Sequence, residues 1–254
     1  MKNQVLIFSI ALNGYDKKWT NCIKSQRDYA KKNGYKYCLI NKLSSELNFS
    51  ESSWLKIPLI IKALENNFEM VCYLDADCMV SKKAPRVDTL KEEEKSVYLV
   101  KGYSGRFNSG VIIVKNNKKA KQFFKKVFSA CDLPILKKNE RVGFFGENGH
   151  IIHFAKNDKC IKEIDFKWNN TIDPMVNDYI RHYTGPMRKY YTFSQENCTI
   201  TKTPVYMKKT YEKLKWIPEK LMNLIAIFIT SKMHFRLLDV TNKCTKEYPI
   251  FLNK

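Results

Sequence analysis

No stretch of this 254-residue chain approaches the ~20 consecutive apolar residues that a membrane-crossing helix needs. The longest apolar run, Leu221–Thr230, is too short to span. Residues 5–12 (Val-Leu-Ile-Phe-Ser-Ile-Ala-Leu) have the length of a short signal core, but no small-residue cleavage site follows. Asn13-Gly14-Tyr15-Asp16 reads instead as a strand-to-helix turn. Short-spaced cysteine pairs are missing too. The 8 cysteines stand at 22, 38, 72, 78, 131, 160, 198 and 244, and the 72/78 spacing is too wide for a usual zinc knuckle. Cys38 and Cys72 lie inside apolar runs, as small buried hydrophobes do, so free thiols in a reducing compartment are expected. Acidic residues are scarce, 25 against 45 Lys and Arg, for a net charge of +20. Nucleic acid, an anionic membrane surface and phosphorylated substrates all suit that balance. The lysines are spread along the whole chain, which favours compositional bias and solubility over one dedicated nucleic-acid face. There is no internal repeat and no low-complexity linker.

What is present suffices for a core. Hydrophobic residues make up 44% and aromatics 13%, enough for one large domain, alone or with a small appendage. Residues 4–12 read as a first buried strand, about 16–33 as a basic amphipathic helix ended by Asn33-Gly34, and Tyr35–Ile40 as a second strand. A helix from Trp54 to about Asn66 follows, with Ser52 and Ser53 as cap candidates, then a third strand at Met70–Leu74. This is the β-α-β-α-β order of a nucleotide-binding sheet. Further strands are expected at Val97–Val100 and Gly110–Val114, and a helix at Lys118–Ala130 with Ala120, Phe123, Phe124, Val127 and Phe128 on one face. Residues 133–150 look like a loop leading to a helix through Ile151–Phe154. The third strand runs into Asp75-Ala76-Asp77. Two carboxylates one residue apart, at the carboxyl end of a buried strand, suit a hard divalent cation such as Mg²⁺ or Mn²⁺.

The Asp pair is followed in order by Phe107-Asn108-Ser109-Gly110, Trp168-Asn169 and His182-Tyr183-Thr184-Gly185, and preceded by Lys56 on the apolar stretch Trp54–Leu64. This ordered set resembles metal-dependent nucleotide-sugar glycosyltransferases of the GT-A fold. It lies nearest the glycogenin and bacterial galactosyltransferase type, family 8, with family 34 a near competitor. The resemblance covers roughly residues 4–190. It implies an α/β architecture: a Rossmann-like mixed sheet flanked by helices. A catalytic domain over 1–204 would be followed by a small basic helical region over 205–254. It implies that Asp75, Asp77 and His182 hold Mn²⁺ or Mg²⁺. The donor nucleotide sugar, UDP-linked, would meet Ala11, Leu12, Asn13, Tyr15, Lys56, Asp75, Gly185, Arg188 and Lys189. Asn108 would face the donor sugar, and Glu147 would be its sugar-binding or catalytic carboxylate. Two departures stand out. The family pattern continues Lys-Pro-Trp where this chain has Arg188-Lys189-Tyr190, and Glu147-Asn148 replaces the usual Asp-Gln.

Each assignment has a plainer counterpart. His182 also fits a structural histidine, Arg188 and Lys189 a solvated charge pair, and Asn108-Ser109-Gly110 a tight turn. Glu147 also fits a helix N-terminus, and Trp168-Asn169 a core aromatic with a turn residue. The resemblance implies hexose transfer with retention to a glycan or glycolipid acceptor. A nucleotidyltransferase is the second reading, although Ala11-Leu12-Asn13-Gly14 offers one glycine where such enzymes usually have a Gly-rich loop. A non-enzymatic basic nucleic-acid-binding protein is the third, and no zinc-finger spacing or RNA-recognition signature supports it. Lys213–Leu238 reads as a basic amphipathic helix interrupted at Pro218. Lys208, Lys209, Lys213, Lys215, Lys220 and Lys232 there flank Trp216, Leu221, Leu224 and Phe228. Such a helix suits either an anionic membrane surface or packing on the catalytic domain. The expected location is the cytoplasm, with peripheral contact at the inner face of a membrane.

Overall fold

The computed structural model describes residues 4–133, 135, 146–192 and 232–252. Most of the loop expected across 133–150, Cys198 and most of the basic amphipathic segment, with its lysines up to 220 and its apolar residues up to 228, fall outside the described residues, and the helix expected through Ile151–Phe154 already begins at Asn148.

Six strands form one sheet in the order β2-β1-β3-β6-β5-β7. They are β1 (Val5–Ile10), β2 (Lys36–Ile40), β3 (Met70–Leu74), β5 (Val97–Lys101), β6 (Phe107–Lys115) and β7 (Ile161–Glu163). β1 pairs in parallel with β2 and β3, and β5 with β7, whereas β6 runs antiparallel to both β3 and β5. Strands β4 (Cys78–Val80) and β8 (Ile180–His182) make a separate antiparallel pair.

Both sheet faces are buried, so the strands read as continuous apolar runs. Leu6 and Phe8 of β1, Val71 and Tyr73 of β3 and Ile112 and Val114 of β6 face one core. Val5, Ile7, Met70, Cys72, Val111 and Ile113 face the other. The first core is covered by α3 (Phe49–Trp54), α4 (Lys56–Glu65), α5 (Lys118–Ser129), α6 (Asn148–Ala155) and α7 (Met233–Glu247). The second is covered in part by α2 (Thr20–Asn33). Residues 233–252, which the sequence grouped with a C-terminal region, place Leu237, Val240, Cys244 and Phe251 in the first core.

Several local expectations need correction. The helix expected over 16–33 breaks into α1 (Tyr15–Lys18) and α2, because Trp19 leaves the helical region (φ −110°, ψ 29°) and buries its ring against Tyr183 and Tyr191. Ser52 and Ser53 are not caps. Asn48 accepts from the Glu51 backbone N–H while Glu51 accepts from that of Asn48, a capping box that starts α3 earlier, and the two serines bond back to Asn48 and Phe49 carbonyls. Asn108 and Ser109 do not form a turn before a strand, since β6 already begins at Phe107.

Candidate active site

The antiparallel insertion of β6 decides where the site forms. Its first residues lie beside the last residues of β3, with Val111 opposite Leu74 and the Asp75 N–H donating to the Gly110 carbonyl at 2.7 Å. The Asp pair and the Asn108-Ser109-Gly110 segment are thereby joined at one end of the two central strands. Gln26, fully buried on α2, shapes the turn that follows. It donates to the carbonyls of Asp75 (3.0 Å) and Cys78 (2.8 Å) while accepting from Ser9 Oγ (2.5 Å). Sequence reasoning missed Gln26. Its signal was one polar residue on the face of α2 that holds Cys22, Ile23, Tyr29 and Ala30.

Strand β8 brings His182 to the pair. Its Nε2 lies 3.1 Å from Asp77 Oδ1 and 3.7 Å from Asp75 Oδ2. On the other side its Nδ1 lies 3.0 Å from Asn169 Oδ1. His182 is 2% exposed. Burial disfavours the charged imidazole, but Asp77 and Asp75 outweigh that cost and raise its pKa. Burial likewise raises Asp77, yet His182 and then Arg188 hold its carboxyl below the ordinary value. Gly110 makes this convergence possible. A Cβ there would stand 2.1 Å from the His182 ring and 2.8 Å from Asp75 Oδ2.

Beneath the pair lies a buried charge cluster. Lys56 Nζ reaches Asp75 Oδ1 at 3.1 Å and Glu147 Oε1 at 2.8 Å, and sits over the Tyr73 ring at 4.6 Å. Tyr73 donates its hydroxyl to Asp75 Oδ1 at 2.6 Å, and Ser109 Oγ donates to Glu147 Oε1 at 2.6 Å. Burial works against the Lys56 ammonium, but Asp75 and Glu147 raise its pKa above the ordinary value. Lys56 and Glu147 are thus both buried and paired with each other. Glu147 precedes α6 without capping it by its side chain.

The remaining expected residues surround this edge. Ala11 and Leu12 are buried at the end of β1, while Asn13 (φ +55°) and Gly14 (φ +81°) make the turn that exposes Tyr15. Gly185 (φ +51°) opens the 3-10 turn Gly185–Tyr190, where a Cβ would meet the Tyr103 ring at 2.6 Å. Arg188 is exposed, with Nη2 3.7 Å from Asp77 Oδ2, and Lys189 lies over the Tyr190 ring. Asn108 Oδ1 accepts from the Gly110 N–H. A cavity of about 530 Å³, lined by Ser25, Met79, Arg181 and Tyr183, holds none of the converging donor atoms.

Asp75, Asp77 and His182 fit a divalent cation: two carboxylates and an imidazole nitrogen converge from two adjacent segments. Asp75 approaches His182 Nε2 at 3.7 Å, while the trio at this site whose ligand atoms all lie within 4.8 Å of one another is Asp77, His182 and Cys78. Burial, then Asp77 and Asp75, push its thiol well above the ordinary value, and it donates to the Gly110 carbonyl at 3.5 Å.

Residues 2–90, which hold β1 to β4 and the Asp pair, match the model of the galactosyl transferase GMA12/MNN10 family. The architecture aligns with the crystal structure of a glycosyltransferase involved in the glycosylation of the major capsid of PBCV-1. Identity is 16%, 74% of this chain and 96% of that one are covered, and the TM-score is 0.56. The fold is GT-A. The family match over 2–90 and this fold together support a glycosyltransferase. The apo form of the glycosyltransferase GlyE of Streptococcus pneumoniae TIGR4 aligns over 87% of the enzyme at 13% identity, with a TM-score of 0.50. The enzyme covers 62% of GlyE's length. The galactosyltransferase LgtC, in complex with donor and acceptor sugar analogs, aligns over 85% of the enzyme and 98% of its own chain at 14% identity, with a TM-score of 0.47. Among curated proteins, no sequence matches the enzyme.

Proposed function

We propose that the enzyme moves a hexose from a UDP-linked sugar to a glycan or glycolipid acceptor at a site held by Mn²⁺ or Mg²⁺. The observation that carries this reading is the convergence of Asp75, Asp77 and His182 Nε2 at the carboxyl end of β3, where open α/β sheets bind ligands. When bound, the cation neutralises charge on the departing diphosphate. Arg188 extends that cationic edge into solvent, and Gly185 lets backbone approach the phosphates. The turn Asn13–Tyr15 ends the neighbouring strand β1 and offers an exposed ring for the base.

The environment of Glu147 favours retention. An inverting route needs a carboxylate that can take the acceptor proton. Glu147 is 3% exposed and already accepts from Lys56 and Ser109. In the retaining route the bond from the sugar C1 to the phosphate oxygen breaks and the bond to the acceptor oxygen forms on the same face. The acceptor proton passes to the departing phosphate.

Turnover of a panel of nucleotide sugars with Mn²⁺, followed by release of the nucleoside diphosphate, tests the proposal. Asp77→Ala should lose about 100-fold or more in rate while its circular dichroism is unchanged. Full activity in excess EDTA would overturn the metal assignment. Turnover of another nucleotide's sugars but not uridine's would overturn the donor.

A further inference from the structure

The hydrogen-bond network behind His182 can be read from a group whose role is never ambiguous. The Gly110 backbone N–H can only donate, and it meets Asn108 Oδ1 at 3.0 Å. That contact makes the Asn108 atom an oxygen. The neighbouring amide atom of Asn169 lies 3.0 Å from this oxygen and 3.3 Å from the Asn108 carbonyl, both acceptors, so it is the nitrogen Nδ2. The other Asn169 amide atom is therefore the oxygen, and it faces His182 Nδ1 at 3.0 Å. An oxygen there requires that Nδ1 carry a hydrogen. On its other side Nε2 faces the Asp77 carboxylate at 3.1 Å, which also only accepts, so without a cation both ring nitrogens carry hydrogens; a cation at the pair would displace the Nε2 hydrogen and leave Nδ1–H in place.

We infer that Asn169 is a positioning residue: anchored through Asn108 to the Gly110 backbone, it holds His182 in the Nδ1–H tautomer with Nε2 aimed at the cation. The inference rests on the metal reading given above. Asn169 is 1% exposed and stands at the end of the 3-10 turn Phe166–Asn169. Backbone bonds of Asn170, the residue that follows that turn, tie it to β8 at Ile180 and at the histidine itself. The Asn170 N–H donates to Ile180 (2.9 Å) and the His182 N–H to Asn170 (3.0 Å). The ring has little room to rotate away, since Gly110 packs directly against its edge. Partners on the second nitrogen of a ligating histidine fix its tautomer and orientation, and their loss typically weakens metal binding about 10- to 100-fold.

Titration of Mn²⁺ alone, read by electron paramagnetic resonance, tests the inference on wild type, Asp77→Ala and Asn169→Ala. Asn169→Ala should bind Mn²⁺ about 10-fold or more weakly than wild type. An unchanged affinity in folded Asn169→Ala, alongside loss in Asp77→Ala, would overturn the positioning role and leave the metal site standing. Equal binding by wild type and Asp77→Ala would instead remove the metal reading itself. A second readout needs no variant. Nitrogen-15 spectra of the wild-type histidine rings at saturating Mg²⁺ should show Nδ1 of His182 protonated and Nε2 without a hydrogen. The opposite tautomer would overturn the inference even if Asn169→Ala does not fold.

Discussion

Lys56 carries a structural part that its residue type alone does not announce. The resemblance puts a cation here beside the donor, but the side chain is buried between Asp75 and Glu147, as the counter-charge that lets both carboxylates exist under the site. Lys56→Met should therefore leave two carboxylates without a cation and destabilise the fold by about 3 to 5 kcal/mol, measurable by urea unfolding. A loss below about 1 kcal/mol would show that the cluster is solvated. The Asp pair was legible because an apolar run led straight into it. His182 was legible only in the company of Gly185. The role of Asn169 was not, because its partners Asn108 and His182 stand 61 and 13 residues away and no local spacing records them.

At the scale of elements, long periodic segments announced themselves and short ones did not. Lys118–Ser129 forms a helix with the expected buried face, because five apolar side chains recur at helical spacing. The three-residue strands β4 and β8 carry too few residues to show any period, yet they deliver His182 to the Asp pair. The Asn48–Glu51 box was written in the sequence as Asn-x-x-Glu, and the serines after it drew attention away. The junction of α5 and α6 is sensitive to pH. His150 Nε2 lies 3.1 Å and 2.7 Å from the carbonyls of Ala130 and Leu133, so that nitrogen carries the hydrogen, while the buried Nδ1 has no hydrogen-bond partner among the described residues. Burial therefore lowers its pKa below the ordinary 6.5. The unfolded chain takes up the proton more readily, so this contribution to stability is complete above pH 6.5 and declines as the pH falls below it. Urea midpoints of wild type should drop between pH 7.5 and 5.5 by more than those of His150→Gln. Equal drops would show that His150 titrates normally.

For the whole molecule, the test is whether cation and nucleotide bind as one unit. UDP at about 100 times its dissociation constant, with Mn²⁺, should add about 2.7 kcal/mol to stability, or roughly 5 to 10 °C in melting temperature. UDP with EDTA should add almost nothing. A full shift without metal would mean that the protein grips the diphosphate with its own cations alone. The order of strands and helices up to β6 was legible in outline, since each βα step is local. The closing helix was not, because α7 owes its place to partners near the other end of the chain. Arg236 meets Glu51 at 3.1 Å, the Tyr248 hydroxyl donates to the Lys42 carbonyl at 2.9 Å, and the rings of Phe251 and Phe8 lie 5.4 Å apart.

That last contact sets a clock on biosynthesis. A ribosome releases the strands from β1 to β6 first and reaches Met233 only after a further stretch of translation, on the order of ten seconds at about 5–20 residues per second. Throughout that interval a sheet formed from β1 to β6 would have its Phe8 side without the cover that Phe251 gives it. During it the half-made protein is most exposed to capture by chaperones or by its own neighbours on the polysome.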